Sequence, residues 1–453
     1  MTGDNQNTYF DYDVVIAGGG MVGLSLALQL AAVSNAIKIL IVERFPATQD
    51  QASKDTPPDY HRTFDARSTA LSYGSQNILS NLGLWSSLEK HIAPINSIHV
   101  SNRNKLGSAV MHQSDIGWPA LGYVVENAWL GSVLLCAAQQ CHQIDICCPG
   151  MVTDIRSLPV GVDVDVEVNV EDKATPSTEH KKLRAQLIVI ADGANSALRK
   201  KLGIDVKARD YQHSALITNV CFNRHRTTGA APINDMAFER FTDWGPMALL
   251  PLDHHDDRVP RSSLVWTMSH EKAEELLNVN DDIFLSMLQE RFGHRVGEFT
   301  KVGQRFSFPL RLVEACEQVR SGVVLMGNAA HSLHPVAGQG FNLALRDCAR
   351  LTELLMAAFN NKKPLGDISL LQSYKKQQSF DQEKTIGFSD KASDIFTLRQ
   401  WPLSLLGGMG LGLIDASPVI KRYFIAHAAG MHAGAAGVIK NTTIANHSAK
   451  VNQ

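Results

Sequence analysis

The sequence predicts an α/β fold in which a Rossmann-like nucleotide-binding domain is discontinuous along the chain, with a second, α+β domain inserted into it. Three observations predict this class. A strand-like run at residues 13–17 leads through clustered glycines into an apolar helix. Two further runs, residues 187–191 and 323–326, have the unbroken hydrophobicity of buried parallel strands. Between these two runs, residues 205–305 change to mixed, aromatic-containing strands, which predicts a separate domain built on a mixed β-sheet.

The first element is a strand, turn and helix with glycines at the spacing Gly18-x-Gly20-x-x-Gly23. The first glycine permits the tight turn, the second lets the backbone approach a pyrophosphate, and the third lets the helix pack on the sheet. The helix N-terminus then directs free N–H groups toward the phosphates. A second apolar strand, residues 37–42, ends at Glu43, where an acidic residue commonly binds ribose hydroxyls. This order predicts a dinucleotide site.

Hydrophobic periodicity predicts the remaining elements. Helices are expected over residues 72–84, 129–140 and 281–292, and another extends through Leu355. Residues 161–170 alternate valine with polar residues, which predicts a strand with one buried face, and the charged segment 171–182 predicts a hairpin loop. After about residue 366 the pattern is helical to the end.

These elements divide the chain into three parts. We assign the nucleotide-binding domain to residues 1–75, 120–205 and 305–365. The substrate domain comprises residues 76–119 and 206–304, and residues 366–453 form a C-terminal helical region.

Composition argues against several other classes. The 453 residues carry a formal net charge of -2, whereas nucleic-acid binders usually show a basic patch, so we expect no nucleic-acid partner. The seven cysteines have neither metal-ligand spacing nor a disulfide framework, which predicts no metal and a reducing compartment. The start of the chain lacks the order of a signal peptide, and no long apolar run occurs. We therefore expect a cytoplasmic protein without a membrane span.

Two more glycine-containing turns follow the other buried strands. Asp192-Gly193 comes directly after the strand at residues 187–191, although such a pair by itself is as easily an ordinary turn. The segment 327–342 lies between a strand and a helix and contains Asn328, Pro335, Gly338, Gln339, Gly340 and Asn342. A loop of this kind offers backbone N–H groups and a helix N-terminus to an anion.

Together, the three motifs resemble the single-component FAD-dependent aromatic monooxygenases of the p-hydroxybenzoate hydroxylase type, over nearly the whole chain. Five segments narrow the resemblance to the ubiquinone-biosynthesis hydroxylases, namely residues 64–71, 238–242, 245–251, 263–266 and 410–422. Within that family, the sequence is most similar to the members that act on 2-polyprenyl-6-methoxyphenol.

The resemblance implies that FAD is a permanent cofactor. The glycines Gly18, Gly20 and Gly23 would hold its pyrophosphate, Glu43 the adenosine ribose, and Arg44 belongs to the same cofactor site. Arg67 would lie along the flavin and the diphosphate. Asp192 and Gly193 would serve both FAD and the docking of NADPH.

The third motif, by the same resemblance, would hold the flavin itself. Asn328 would sit beside the ribityl chain, and the residues lining the isoalloxazine ring would be Pro335, Gly338, Gln339, Gly340 and Asn342. The family usually has Asp at the position of Asn328. An amide can still bond a ribityl hydroxyl but brings no charge, so we expect a shift in flavin potential.

The resemblance also implies the reaction. NADPH or NADH reduces the flavin, O₂ adds to it as a C4a-hydroperoxide, and one oxygen passes to the ring. In this way 2-polyprenyl-6-methoxyphenol becomes 2-polyprenyl-6-methoxy-1,4-benzoquinol. Alternatives are hydroxylation at another ring position or of a soluble aromatic, a flavin enzyme of another class, and a non-catalytic FAD-binding scaffold of a lipid-synthesis complex.

The sequence defines the catalytic and substrate residues less sharply. His331 and His334 are the motif-borne candidates for phenol deprotonation, although a histidine in a turn before proline more often caps backbone. Candidates for the apolar substrate pocket are Gly245, Pro246, Met247 and Leu249. Packing in an ordinary core is an alternative of equal weight for these four residues.

The implied partners are the prenylated phenol and other proteins of ubiquinone synthesis. The apolar, glycine-rich tail at residues 403–414 has two interpretations. In the first, the tail lies against the inner face of the membrane and collects a lipid substrate. In the second, it packs as a helix pair on the flavin domain. The second is favoured because the stretch has no basic flank.

Overall fold

The computed structural model describes residues 9–45, 67–103, 108–170, 177–223, 235–253, 259–333 and 339–397. Within these ranges the chain forms sheets of eight, nine and three strands. The strands are β1 Tyr12–Ala17, β2 Ile39–Val42, β3 Ser68–Ser72, β4 Ile92–Ile95, β5 Ser97–Asn102, β6 Ser108–His112, β7 Gly122–Glu126, β8 Ile144–Cys147, β9 Gly150–Ser157, β10 Val162–Val170, β11 Ser177–Ile190, β12 Val206–Asn223, β13 Met236–Phe241, β14 Pro246–Pro251, β15 Arg261–Ser269, β16 Glu298–Val302, β17 Phe306–Ala315, β18 Val319–Arg320, β19 Val323–Leu325 and β20 His331–Ser332.

The described helices pack on the faces of these sheets. They are α1 Met21–Val33, α2 Tyr73–Asn81, α3 Trp85–Leu88, α4 Asn127–Gln140, α5 Ala197–Lys201, α6 His270–Asn278, α7 Asp281–Phe292, α8 Gln339–Asn360 and α9 Ile368–Thr397. Among the residues that the structure describes, no helix is long and apolar enough to cross a membrane.

The eight-stranded sheet has a parallel centre, in the order β19-β11-β1-β2-β8. Alternate residues of its strands point to opposite faces. Val14 and Ile16 pack in the cluster formed with α1, α4 and α8, whereas Val15 and Ala17 pack toward β9, β10 and α5. Burial on both faces explains why these strands are continuous apolar runs.

The nine-stranded sheet is mostly antiparallel and follows the order β20-β17-β12-β15-β14-β13-β5-β6, with β16 beside β12. One face is covered by α6 and α7, whose first turns are capped by the side chains of Ser269 and Asn280. Leu264, Trp266 and Phe284 lie in the resulting core and are fully buried.

The three-stranded sheet, β3-β7-β4, lies at the junction of the two larger sheets. Ile95 and Val124 from this sheet pack with Ala237 and Leu252, which belong to the opposite face of the nine-stranded sheet or follow it directly. That face therefore looks toward the three-stranded sheet and away from α6 and α7.

Most predicted elements are confirmed, including the opening βαβ unit, the alternating strand β10 and the helices α4 and α7. The segment 171–182 differs, because β11 already begins at Ser177 and pairs with β10 in register. The helix predicted over 72–84 is divided into α2 and α3, with a turn at Gly83.

The sheets also differ from the predicted domain boundaries at two places. Strand β17 pairs with β12 in the nine-stranded sheet, although residues 305–365 were assigned to the nucleotide-binding domain. Helices α2 and α3, assigned to the substrate domain, bury Leu79 and Leu88 in the core that contains α1 and α8. The tail from residue 398 onward lies outside the described residues.

Candidate active site

The three sequence motifs follow neighbouring parallel strands. Strands β19, β11, β1 and β2 are adjacent in that order, and all four run in the same direction. Their carboxyl ends therefore meet at one sheet edge, which is where ligands bind in open α/β sheets. Asn328, Asp192, Gly20 and Glu43 all lie just beyond these ends. The fold thus brings residues more than 300 positions apart in sequence to one edge.

The glycine loop after β1 is tightly packed on one side and open on the other. Gly18 has φ +112°, and a Cβ there would lie 2.5 Å from the carbonyl oxygen of Ala191. A Cβ on Gly23 would lie 2.0 Å from the carbonyl oxygen of Gly18. By contrast, a Cβ on Gly20, the N-cap of α1, would meet nothing within 4 Å. The open cradle at Gly20 fits the close backbone approach that a pyrophosphate requires.

Glu43 lies beside this loop. One carboxylate oxygen accepts a hydrogen bond from the Gly19 N–H at 2.6 Å, and the other accepts one from the Phe45 N–H at 2.9 Å. The carboxylate therefore stands at the edge of the cradle, as expected for a ribose ligand. Arg44 is exposed, and its guanidinium lies over the ring of Phe45.

The turn after β11 is joined to the turn after β19 by Arg199 of α5, which is 3% exposed. Its guanidinium donates to the carbonyl oxygen of Ala329 at 2.7 Å and to that of Ala194 at 3.1 Å. Asp192 accepts a bond from the Leu198 N–H at 3.4 Å. A buried cation at the end of the second motif is the signal that could have identified this link from sequence.

The third motif begins in a short 3₁₀ turn, Gly327–Ala329, in which Asn328 is exposed at the sheet edge. Gln339 and Gly340 open α8, and a Cβ on Gly340 would meet nothing within 4 Å. His334, Pro335 and Gly338 were also predicted in this site and lie outside the described residues.

Asn342 was predicted to line the flavin ring, but the structure places its side chain inside the protein. The residue is 1% exposed, and its amide nitrogen donates to the Ala70 carbonyl oxygen at 2.8 Å. Its amide oxygen accepts from the Ser72 N–H at 2.9 Å and from the Ser75 hydroxyl at 2.7 Å. The amide therefore pairs with β3 as a peptide group would, and it fixes α8 against that strand.

His331 is buried and belongs to a polar network between the third motif and the helices that follow it. Its Nε2 lies 2.8 Å from Asp347, which also accepts a bond from Gln382 at 3.2 Å. Burial lowers the pKa of His331, but the hydrogen bond and charge of Asp347 outweigh it and raise that pKa overall. This geometry suits a link that positions the loop against α8 and α9.

Arg67 lies between β7 and the nine-stranded sheet. Its carbonyl oxygen accepts from the Asn127 N–H at 2.7 Å, and its guanidinium lies 5.5 Å from the ring centre of Phe308 on β17. Glu126, the residue before Asn127, pairs with Arg261 of β15 at 2.5 Å. Burial raises the pKa of Glu126 to about 7 although Arg261 opposes the shift.

The predicted pocket residues on β14 divide between the two faces of the sheet. Met247 and Leu249 are at most 1% exposed and pack with Trp266 in the core under α6 and α7. Because side chains alternate along a strand, Pro246, Ala248 and Leu250 point to the other face, which looks toward Arg67. Met247 and Leu249 are therefore core residues, as the alternative to a pocket lining predicted. The φ of Gly245, +144°, and a carbonyl of Thr267 at 2.3 Å from its Cβ position require glycine there.

One row of registered residues crosses this other face. Its members are partly exposed, whereas their neighbours along each strand are mostly buried. The row consists of Val100, Glu239, Ala248, Val265, Ile217 and Phe306. Glu239 is its one ionisable member, and burial raises the pKa of this carboxyl to about 8. No sequence motif marks Glu239, and the usable signal is an acidic residue that follows the core residue Phe238 within a strand.

Comparisons with known proteins agree with this architecture. A family model described as an FAD binding domain matches residues 11–388, and the chain belongs to that family. The chain is 31% identical to ubiquinone hydroxylase UbiL of Rhodospirillum rubrum over 92% of its own length and 89% of the relative. It is 28% identical to 3-demethoxyubiquinol 3-hydroxylase of Escherichia coli, with 92% and 98% covered. The p-nitrophenol 4-monooxygenase PnpA of Pseudomonas putida has the same fold, with a TM-score of 0.71 at 16% identity, covering 93% of this chain and 98% of that one.

The family match and the hydroxylase relatives place this flavoprotein among the FAD-dependent monooxygenases. FAD is its cofactor, and NAD(P)H and O₂ are its co-substrates. More particularly, this chain is an FAD-dependent hydroxylase.

Proposed function

We propose that this protein hydroxylates a polyprenylated phenol in ubiquinone biosynthesis, converting 2-polyprenyl-6-methoxyphenol to 2-polyprenyl-6-methoxy-1,4-benzoquinol. The observation that carries the proposal is the row of partly exposed, mostly apolar side chains on the sheet face next to Arg67. A prenylated ring needs such an apolar surface close to the flavin. The names of the relatives from R. rubrum and E. coli support the same pathway.

When bound, FAD supplies the redox chemistry, transferring electrons from NAD(P)H and one oxygen atom from O₂ to the ring. In our proposal, the backbone around Gly20 and the N-terminus of α1 bind its pyrophosphate, because that cradle is open and unpaired N–H groups favour anions. Glu43 binds the adenosine ribose. Asp192 and Gly193 contact FAD and receive the nicotinamide cofactor, and Asn328 bonds the ribityl chain.

The remaining residues keep these parts in position. Arg199 holds the second and third motifs together, and the pair His331–Asp347 holds the third motif on α8. The nine-stranded sheet presents the phenol and excludes water from the reacting ring, since its face toward the flavin is largely apolar.

A second candidate is hydroxylation at another position of the ubiquinone ring. The name of the E. coli relative, a 3-demethoxyubiquinol 3-hydroxylase, favours it. Both reactions use the same flavin chemistry and an apolar substrate, so the ring position has to be measured directly.

Quinone intermediates in a strain that lacks this protein test the proposal. We expect 2-polyprenyl-6-methoxyphenol to accumulate by mass spectrometry and to disappear when the wild-type chain is restored. Accumulation of a demethoxyubiquinol supports the second candidate, and an unchanged quinone profile contradicts both. Restoration of ubiquinone by Gly20→Val protein that binds no FAD would indicate a non-catalytic scaffold instead.

A further inference from the structure

We propose that Glu239 is a catalytic residue that accepts the proton of the substrate's phenolic hydroxyl from its place on the inner face of the nine-stranded sheet. This inference rests on the proposed function, because it requires a phenol as substrate. It adds the proton acceptor that no motif of the sequence identifies.

Glu239 lies on β13, between β5 and β14 in the nine-stranded sheet. It lies opposite Val100 of β5 and Ala248 of β14, so these three side chains share one face. Its sequence neighbours Phe238 and Arg240 point the other way, since Phe238 packs in the core under α7 and Arg240 donates to the carbonyl oxygen of Arg291 on α7. The carboxyl therefore projects from the row between Val100 and Ala248, one strand from the row's β5 end.

The face of the sheet that carries Glu239 also contacts Arg67, which the sequence analysis assigned to the flavin site. Phe308 lies two residues after Phe306, the member of the row on β17, and so points to the same side. The guanidinium of Arg67 lies over its ring. Arg261, two strands from Glu239, also projects from this face and pairs with Glu126, which directly precedes α4. The row thus lies on the side of the sheet where Arg67 and Glu126 are found.

Glu239 has no structural partner among the described residues. No described side chain or backbone N–H forms a hydrogen bond or ion pair with its carboxyl, yet the residue is enclosed enough for burial alone to raise its pKa to about 8. An enclosed carboxyl without a partner costs stability. Such a cost is common at catalytic sites, where groups are placed for a reaction rather than for the fold.

The charged groups around this face do not compensate Glu239. Arg261 and Glu126 neutralise each other at the far end of the face, and Arg67 stacks on Phe308. On the opposite face, His99 of β5 contacts Arg295, and Arg240 contacts α7. Burial is the cause of the raised pKa, with no charged group contributing among the residues described.

The step that we assign to Glu239 is a simple proton transfer. The phenolic O–H bond breaks, its proton moves to a Glu239 carboxylate oxygen, and the electron pair stays on the phenolate oxygen. That charge enters the ring and makes the carbon para to it more nucleophilic. A carboxyl with pKa near 8 is a better acceptor for a phenol, whose pKa is about 10, than an ordinary glutamate at about 4.3. The electrons and the oxygen atom come from NAD(P)H and O₂ through the flavin, as the proposed function states.

The test compares wild-type holoenzyme with Glu239→Gln and Glu239→Asp. The probes are 2-geranyl-6-methoxyphenol and its O-methyl ether, which lacks the acidic proton. We expect Glu239→Gln to lower kcat for hydroxylation by about 100-fold or more, the usual scale of general-base catalysis. Its flavin reduction by NAD(P)H in the absence of phenol stays at the wild-type rate. In wild type, kcat/KM rises with pH through about 8, and this rise is absent in Glu239→Gln. Glu239→Asp restores part of the rate.

Binding provides a readout that does not depend on turnover. Titrated through the flavin absorbance at pH 8.5, about half a unit above the pKa of Glu239, wild type binds the phenol about tenfold more tightly than the ether, and Glu239→Gln binds both equally. The matched control is Glu271→Gln, an exposed residue of α6 on the other side of the sheet, which behaves as wild type. Hydroxylation by Glu239→Gln within threefold of wild type, or unchanged discrimination between phenol and ether, overturns the assignment. A wild-type enzyme that discriminates the probes but never oxygenates the phenol contradicts the proposed function instead.

Discussion

The two large sheets hold their candidate ligands in different ways. The eight-stranded sheet offers groups at the ends of four adjacent parallel strands, where in our proposal backbone N–H groups and short turns bind the cofactor. The nine-stranded sheet offers side chains from the middles of its strands, where residues such as Ala248 and Val265 form the row that we propose faces the substrate. The first site depends on where the parallel strands end, and the second depends on which residues pair between neighbouring strands.

This difference determines how each site tolerates substitution. At the strand ends, a single added methyl group either has room or strikes backbone, as Gly20 and Gly23 show. Across the nine-stranded sheet, neighbouring residues lie on opposite faces, because Met247 packs in the core and Ala248 points to the other side. Substitutions at the two sites test this contrast.

Gly20→Val is expected to abolish flavin binding while leaving the fold intact. The added side chain has space in the protein and no backbone strain, but it occupies the approach of the pyrophosphate. We expect FAD affinity to fall by at least about 100-fold, measured as flavin absorbance per protein after reconstitution. Gly23→Ala is the contrasting variant, because its Cβ would lie 2.0 Å from a carbonyl oxygen. It should lose the folded state as well, and equal melting temperatures for the two variants would contradict the contrast.

The pH dependence of stability should reveal Glu239. Its pKa in the folded state, about 8, exceeds the ordinary value of 4.5, so the folded protein binds this proton more tightly than the unfolded chain does. Stability is therefore lost as pH rises from about 4.5 to about 8, by up to about 5 kcal/mol when ionisation is complete. Glu239→Gln removes this loss. Melting curves of both proteins across that range should converge at low pH and diverge at high pH, and parallel curves would refute the burial of the carboxyl.

Met247→Ala and Val265→Ala compare the two faces of the nine-stranded sheet. Removing the fully buried Met247 side chain should cost roughly 3 kcal/mol of unfolding free energy, because it leaves a cavity in the core. Val265 is partly exposed, so its truncation should cost about 1 kcal/mol or less and should instead raise KM for the prenylated phenol. Denaturant unfolding and steady-state kinetics distinguish the two. The reverse assignment of stability and KM effects would mean that the faces are exchanged.

Asn342→Ala should lower the free energy of unfolding by about 1–3 kcal/mol, because it leaves the buried Ser72 N–H and the Ala70 carbonyl oxygen without this partner. A matched change at a partly exposed position of the same helix, Arg350→Ala, should cost less than about 0.5 kcal/mol. Both changes in unfolding free energy would be measured by denaturant unfolding of the holoenzyme. A change in the flavin spectrum of Asn342→Ala, without any loss of stability, would instead favour a direct contact with the ring.

The sequence predicted the strand-end site better than the sheet-face site, and the reason is physical. Glycine spacing, continuous apolar strands and a terminal Glu43 are local patterns, and parallel strand ends must meet at one edge. Which β14 residues face the substrate depends on how β13, β14 and β15 pair, and a shift by one residue inverts the answer. The roles of Arg199 and Asn342 were likewise missed or misjudged because they depend on contacts with residues distant in the chain.

Oxygen transfer to a prenylated phenol is the most direct test of the proposed function. Purified holoenzyme would receive NAD(P)H, ¹⁸O₂ and a 2-polyprenyl-6-methoxyphenol, and the product would be examined by mass spectrometry and NMR. We expect one ¹⁸O atom at the ring carbon para to the hydroxyl, with NAD(P)H consumed in proportion to product. A flavin-loaded enzyme that oxidises NAD(P)H without placing ¹⁸O in the ring of any prenylated phenol would contradict it.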